Sequence, residues 1–208
     1  MSILNVNATR MALLTLKKKQ DSAKRGHKLL KDKQDGLMQK FMDIIREAKR
    51  VREDVEKKLG AAFKNFVRAN SLMEEGFLEG ALLYSTAQMD LKVKTKNVMS
   101  VRIPEFKLET SGEIVNYGFL HTSGELDMAL KAFQEVFPLL IQLAEIEKSA
   151  EALADELEKT RRRVNALEYR MIPDLRDTIK FIQMKLDEME RSAIINTMVV
   201  KAKIEATA

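Results

Sequence analysis

Cysteine and tryptophan are absent from this chain, proline occurs 3 times, glycine 8 times, and aromatic residues make up only 6% of the 208 positions. The lack of cysteine excludes disulfides and thiolate metal sites, which fits a reducing compartment. So few prolines and glycines leave few places to turn, and few, long elements are expected. With so few aromatics, the 45% hydrophobic content is mostly Leu, Ala, Met, Val and Ile, spread along narrow seams and not gathered into a thick core. Long apolar runs are missing as well. The longest, Val136 to Ala144 with Gln142 inside it, falls far below the ~20 residues that span a bilayer. Met1 to Thr9 has no basic stretch followed by an apolar one, so it does not read as a secretion signal. Direct membrane insertion is not expected.

What is present is heptad order at both ends of the chain. One column reads Leu13, Gln20, His27, Gln34, Phe41, Ala48, Val55; the other reads Leu16, Ala23, Leu30, Leu37, Ile44, Val51. This 3-4 repeat is the seam of a coiled coil. A second seam runs through Ile146, Ala150, Leu153, Leu157, Thr160, Val164, Leu167 and Met171, then Leu175, Ile179, Ile182, Leu186, Met189 and Ala193. A chain that turns back on itself pairs the two antiparallel. The expected fold is mainly α: a long antiparallel coiled coil of the N- and C-terminal helices, with a small middle region holding a β-hairpin and short helices. The divisions are residues 1–75 for the first helix, 76–121 for the middle and 122–208 for the C-terminal helical region, all within one elongated unit.

Thr9 is placed to cap the first helix, whose ~65 residues at a rise of 1.5 Å would extend nearly 100 Å. Helices of that length need a partner along most of their seam. Beyond Val55 the face steps to Leu59, Ala62, Phe66, Ala69 and Met73, which locally unwinds a supercoil. From Leu167 to Ile179 the spacing becomes 4-4-4 with Pro173 inside it, and a bend is expected there. In the middle, Asn97, Met99, Val101 and Ile103 alternate with Val98, Ser100 and Arg102. Ile114 to Leu120 is a second β-like run, and Pro104 and Thr110-Ser111-Gly112 separate the two as a long connection. Thr122 to Glu125 has capping-box spacing, and Pro138 is expected to kink or interrupt the helix that follows.

Chemistry-bearing residues are sparse. The histidines, His27 and His121, lie far apart, and His27 falls on a seam column between Gln20 and Gln34, where it serves as a polar register device. Carboxylates such as Glu151, Asp155 and Glu156 sit among Lys and Arg at helical spacing, as solvated ion-pair ladders do. Neither a phosphate-cradling P-loop nor a dinucleotide-binding glycine turn occurs. No catalytic residue, cofactor or metal is expected.

Net charge is +5, and its distribution says more than its size. Arg10, Lys17, Lys18, Lys19, Lys24, Arg25, Lys28, Lys31 and Lys33 face only Asp21 and Asp32 in sequence, making a basic tip at the end that carries both termini. Such a cluster can bind nucleic acid, but interleaved aromatics for base stacking are missing. The favoured reading is a rod end seated in a protein socket. Arg161, Arg162 and Arg163 fan around the helix at about 100° intervals, as a grip for carboxylates or as a solvated face. Gly26 beside His27 suggests close approach of helix backbones or a partner pressing there.

Asn7-Ala8-Thr9-Arg10-Met11 and Arg25 through Lys33 resemble the N-terminal helix of the D subunit of the bacterial and archaeal V/A-type ATPases. Glu158 through Tyr169, continuing through Ile172-Pro173, Thr178-Ile179, Lys185-Leu186 and Glu190-Arg191, resembles that family's second signature. Ala8 departs from the proline usual before Thr-Arg-Met, which bears only on the rigidity of the helix start. The resemblance implies a non-catalytic central rotor shaft, coupling the catalytic head to H+ or Na+ translocation through a membrane ring. Its implied partners are the catalytic and regulatory head subunits (A and B), the small F subunit of the stalk and the funnel-shaped subunit capping the ring. Its implied place is the cytoplasmic side of the membrane, as a peripheral part of the complex. The F-type gamma subunit shares the shaft plan, but its larger middle domain has no room between Glu75 and Thr122.

The seam is assigned to Leu13, Leu16, Ala23, His27, Leu30, Leu37, Phe41, Ile44, Val51, Leu157, Val164, Leu167, Leu175, Ile179, Ile182, Leu186 and Met189. The partner-contact candidates are Arg10, Lys17, Lys18, Arg25, Lys28, Arg161, Arg162, Arg163 and Tyr169. Contacts with the small F subunit are expected near Arg161 to Tyr169 and at the middle hairpin. A stand-alone antiparallel coiled-coil scaffold is the alternative from another class, and a basic nucleic-acid-binding coiled coil comes after it.

Overall fold

The computed structural model describes residues 6–74, 76–83, 86–118 and 122–207, the Thr207 side chain excepted. Helix dominates. Helix α1 spans Arg10–Leu72, α2 Phe77–Leu83, strands β1 and β2 Gln88–Val98 and Val101–Ser111, α3 Gly124–Ala166 and α4 Ile172–Thr207, with a π-helical turn, Leu167–Met171, between the last two. Contacts divide the chain into two compact units, Met1–Gly36 with Glu158–Ala208, and Leu37–Leu157.

In the first unit, the Ala12 N–H donates to Thr9 Oγ1 at 3.1 Å, so Thr9 caps α1 by satisfying one of its orphan amides. Leu16 packs with Leu175, Ile179 and Ile182, flanked by Leu13, Ala23 and Leu186. Burial of this kind makes a Leu or Ile truncation cost about 2–5 kcal/mol. The pairing is antiparallel: Arg10 meets Glu190 while His27 meets Glu168. Just before Pro173, where a bend is expected, the helix forms the π turn, in which the Ile172 N–H donates to the Leu167 carbonyl. The next residue, Pro173, has no N–H to return to Tyr169, and one extra residue in the turn absorbs the 4-4-4 slip. Two threonines are fully buried here. Thr178 donates to the Asp174 carbonyl at 2.6 Å, whereas the Thr160 hydroxyl has no partner among the described residues.

The second unit is centred on Leu37, Val101 and Leu153, with Phe41, Ile44, Ile103 and Leu157 packed against them. Farther along α1, Phe63 and Phe66 set their rings edge-on to Phe133 on α3, with centroids 5.4 and 6.3 Å apart. The stepped face from Val55 is inward: Val55, Ala62 and Ala69 are buried and Leu59, Phe66 and Met73 half-buried. Tyr117 donates its O–H to Asp127 at the start of α3. Burial first, then the Asp127 carboxylate, holds this phenol above its ordinary pKa. The folded chain therefore favours the neutral phenol, and the tie weakens as pH rises beyond the unfolded value of about 10.

Four sequence expectations are corrected in this unit. The alternation over Asn97–Ile103 straddles a turn instead of filling one strand: β1 pairs antiparallel with β2 from Gln88↔Ser111 to Val98↔Val101, leaving a two-residue turn. Met99 and Ser100 occupy it at φ of 52° and 69°. Both central residues of such a turn need positive φ, which Asn-Gly normally supplies, so nothing in the local composition marks it. No strand forms in the described part of the Ile114–Leu120 run, and Phe119, Leu120 and His121 lie outside the described residues. The capping box is also displaced, because α3 begins at Gly124 and Thr122 Oγ1 donates back to the Gly118 carbonyl at 3.1 Å. Ser123 takes the cap position, its carbonyl receiving the Leu126 N–H at 3.0 Å. Finally, of the kink or interruption expected at Pro138 the interruption does not occur, since α3 runs unbroken from Gly124 to Ala166 with Pro138 inside it.

Gly26 is not a point of close helix approach among the described residues, since a Cβ there would meet none of them within 4 Å. At Gly112, φ is 90° and a Cβ would lie 2.3 Å from the Thr86 carbonyl oxygen. Opposite outcomes follow in urea denaturation of the isolated chain: Gly26→Ala should add about 0.5–1 kcal/mol, and Gly112→Ala should remove about 1–3 kcal/mol. Thr160→Val should leave stability unchanged or raise it by up to about 1 kcal/mol, because it removes a buried hydroxyl that has no partner.

Candidate partner-binding surfaces

Along α1 from Arg10 to Leu30 the seam occupies one side and the cations the other. Arg10, Lys17, Lys18, Lys24, Arg25 and Lys28 are all exposed, while Leu13, Leu16, Ala23, His27 and Leu30 are buried or half-buried. Arg10 is held by Glu190 in a pair whose side chains are 80% and 57% exposed, a solvated contact worth little stability. Lys17, Lys18, Arg25 and Lys28 make no ion pair among the described residues. Their charge is available to a partner.

The π turn opens the same region. A groove of about 940 Å³ has Leu16, Ala23, Met171 and Leu175 in its wall and Lys18, Lys19 and Arg170 beside them. His27 Nε2 lies 3.4 Å from Glu168 Oε2 within this unit, so the seam histidine is engaged by a carboxylate of the π turn. Of the arginine triplet, Arg162 pairs with Glu158 one turn back, and all three are exposed. Tyr169, 75% exposed, stands in the π turn with its ring in solvent.

Leu37, Val164, Leu175, Ile179 and Ile182 are buried, and Phe41, Ile44, Val51, Leu157, Leu167 and Leu186 half-buried; Met189 is exposed. Met189 lies where the pairing ends, next to the Arg10–Glu190 contact.

Heptad order does not anticipate the next stretch. Helix α4 continues beyond Glu190 to Thr207, whereas α1 starts at Arg10. Every residue from Arg191 to Ala206 is exposed, including Ile194, Ile195, Met198, Val199 and Val200. At about 100° per residue, Ile194, Ile195, Met198 and Val199 share one stripe of the helix and Val200 stands on the other side, an apolar stripe left without a partner among the described residues. The signal was present as the loss of heptad order after Ala193 without a loss of apolar residues. In the second unit, Phe63, Val67, Leu72 and Leu83 are likewise exposed large apolar residues.

Among the described residues no group of three or more His, Cys, Asp or Glu comes together in a way that could hold a metal. No helix among the described residues is long and apolar enough to cross a membrane. What the chain presents is contact surface: a cationic helix face, an apolar groove beside it and an uncovered apolar helix end.

Comparison with known proteins agrees along nearly the whole length. Residues 12–202 match the profile of a family described as the D subunit of ATP synthase. The D subunit of the V-type ATP synthase of Clostridium novyi is 50% identical over 99% of this chain and 97% of its own length. That of Clostridium botulinum is 51% identical over 97% of this chain and 96% of its own. The Fusobacterium nucleatum protein of the same description is 51% identical with both chains covered completely.

Because the α4 end is solvated in the isolated chain, Ile195→Asn with Val199→Asn should change its thermal stability by no more than about 0.5 kcal/mol. A larger loss in a thermal scan would mean that these residues already have a partner within the chain.

Proposed function

We propose, from the premise that this chain belongs to the D-subunit family of ATP synthases, that it is the non-catalytic central rotor shaft of a V/A-type ATPase. The observation that carries the proposal is the end of α4, exposed from Arg191 to Ala206 with Ile194, Ile195, Met198 and Val199 uncovered on it, in the same unit as the cationic face of α1. A free protein gains nothing from solvating that surface. A shaft whose termini are housed inside a head of partner subunits buries it.

In this reading the shaft performs no bond chemistry. The head holds several equivalent catalytic sites around a single asymmetric axle, so each site meets a different side of it. Ligand affinity at a site then depends on the angle of the axle, and by linkage nucleotide turnover biases that angle in return. The lysines and arginines of α1 hold orientation through charge while allowing a sliding contact. The apolar α4 end works as the bearing. The partners in this assignment are the catalytic and regulatory head subunits (A and B), the small F subunit of the stalk and the funnel-shaped subunit over the membrane ring. The chain would lie on the cytoplasmic side as a peripheral component, linking ATP turnover to H+ or Na+ movement.

A reversible disulfide between Arg25→Cys and a cysteine placed on the head tests the role. Locking should abolish ATP turnover by the assembled complex, and reduction should restore it. Undiminished turnover in the locked state would show that the shaft need not rotate. In the same complex, Ile195→Asn with Val199→Asn should weaken retention of the head while sparing the isolated chain.

A further inference from the structure

Strand β1 has an open edge whose geometry can be read from the ladder. The pair Val98↔Val101 closes the two-residue turn, and antiparallel pairs alternate between hydrogen-bonded and non-hydrogen-bonded from there. The pairs Thr95↔Pro104, Val93↔Phe106 and Leu91↔Leu108 are thus of the second kind. Two observations on β2 fix this parity. The Phe106 N–H donates away from β1, to Glu145 Oε2 on α3 at 3.1 Å, and Pro104, in the equivalent position, has no N–H. The outer side of β2 therefore faces α3.

On β1 the same parity turns the N–H and C=O groups of Leu91, Val93 and Thr95 outward. None of these has a hydrogen-bond partner beyond the hairpin among the described residues. All residues from Gln88 to Asn97 are exposed. Alternation puts Met89, Leu91 and Val93, 39%, 45% and 59% exposed, on one face and Lys92, Lys94 and Lys96 on the other, where Lys92 pairs with Glu109 of β2 at 2.5 Å and Lys94 and Lys96 make no ion pair among the described residues.

We propose that β1 is a docking edge, and that its occupant is an extended segment of another protein of the complex, with acidic residues alternating with apolar ones, added as a third strand. Outward amides supply the pairing, the Met89–Leu91–Val93 row continues into apolar side chains of the added strand, and the lysine row selects carboxylates. Lysines on an edge strand also discourage edge-to-edge aggregation. Beyond those lysines β1 carries none of the other protective features of an edge strand: it has no proline, pairs without a break over 11 residues and keeps an apolar row in solvent. The same lysines oppose a second copy of the chain, whose own lysine row would lie against them. This inference rests on membership of the complex and not on rotation.

The test uses the complex purified through a tag on the full-length chain. Val93→Pro removes one outward N–H and none of the ladder bonds to β2. The triple change Lys92→Glu, Lys94→Glu, Lys96→Glu reverses the selecting charges without touching the backbone, and it decides the matter if the proline variant misfolds. The triple change Lys57→Glu, Lys58→Glu, Lys64→Glu on exposed positions of α1 is the control for charge alone. The expected result is a roughly tenfold fall in the recovery of one particular component relative to the rest for both edge variants, with the α1 control complex at the wild-type ratio. Wild-type ratios in both edge variants, or an equal loss of the same component with the α1 control, would overturn the proposal. Dimerisation of the isolated chain in sedimentation velocity that Val93→Pro abolishes would also overturn it, by assigning the edge to a second copy. An edge-variant complex that loses its component supports the proposal whether or not the disulfide lock stops turnover.

Discussion

Narrow apolar columns, one from each of two antiparallel helices, carry most of the burial in both units. A column offers one or two side chains per turn, so each contributes a large fraction of the local core. Leu37 and Leu153 are completely buried in one unit and Ile182 in the other. This thin packing explains why the chain tolerates so few interruptions. Where a slip does occur, at Leu167–Met171, it is absorbed inside the helix as a π turn and not by a loop, so both flanking stretches keep their columns facing the partner helix.

The same constraint accounts for the exposed apolar surface. Two paired helices can shield only their facing stripes, and whatever lies elsewhere stays in water until another protein covers it. The uncovered end of α4, the exposed Val67 and Leu72 of α1 and the apolar row of β1 are all of this kind. Membership of the D-subunit family of ATP synthases gives such surfaces a reason, because one member of a complex can leave burial to its partners. The surfaces differ in character: cations line α1 and β1, while the α4 end exposes Ile194, Ile195, Met198 and Val199 among its charged residues.

The helices were legible because periodicity over many residues is redundant. Losing His27 or Gln34 from a column still leaves Leu30, Leu37 and Ile44 to define the face. The cap at Thr9 was legible for a local reason, since its hydroxyl needs only the amide three residues on. The hairpin was misread because its turn is made by Met99 and Ser100, residues that do not advertise positive φ. Its strands alternate in step across that turn, so the period-2 pattern passes through without a break. The Thr122 cap failed over a single residue, the scale at which tertiary contacts decide helix ends. Of the candidate surface residues, the cations were readable from charge clustering. Met189 and the apolar residues after it were not, because exposure there depends on where the partner helix begins.

The sequence by itself determined the mainly helical class, the antiparallel pairing of its ends, the cationic face of α1 and the family, because each rests on a pattern repeated over many residues. Tertiary structure alone decided the register of the hairpin, the π turn, the unpartnered Thr160 hydroxyl and the surfaces left uncovered. Those depend on which atoms meet across elements distant in sequence, and no local pattern of residue types encodes that.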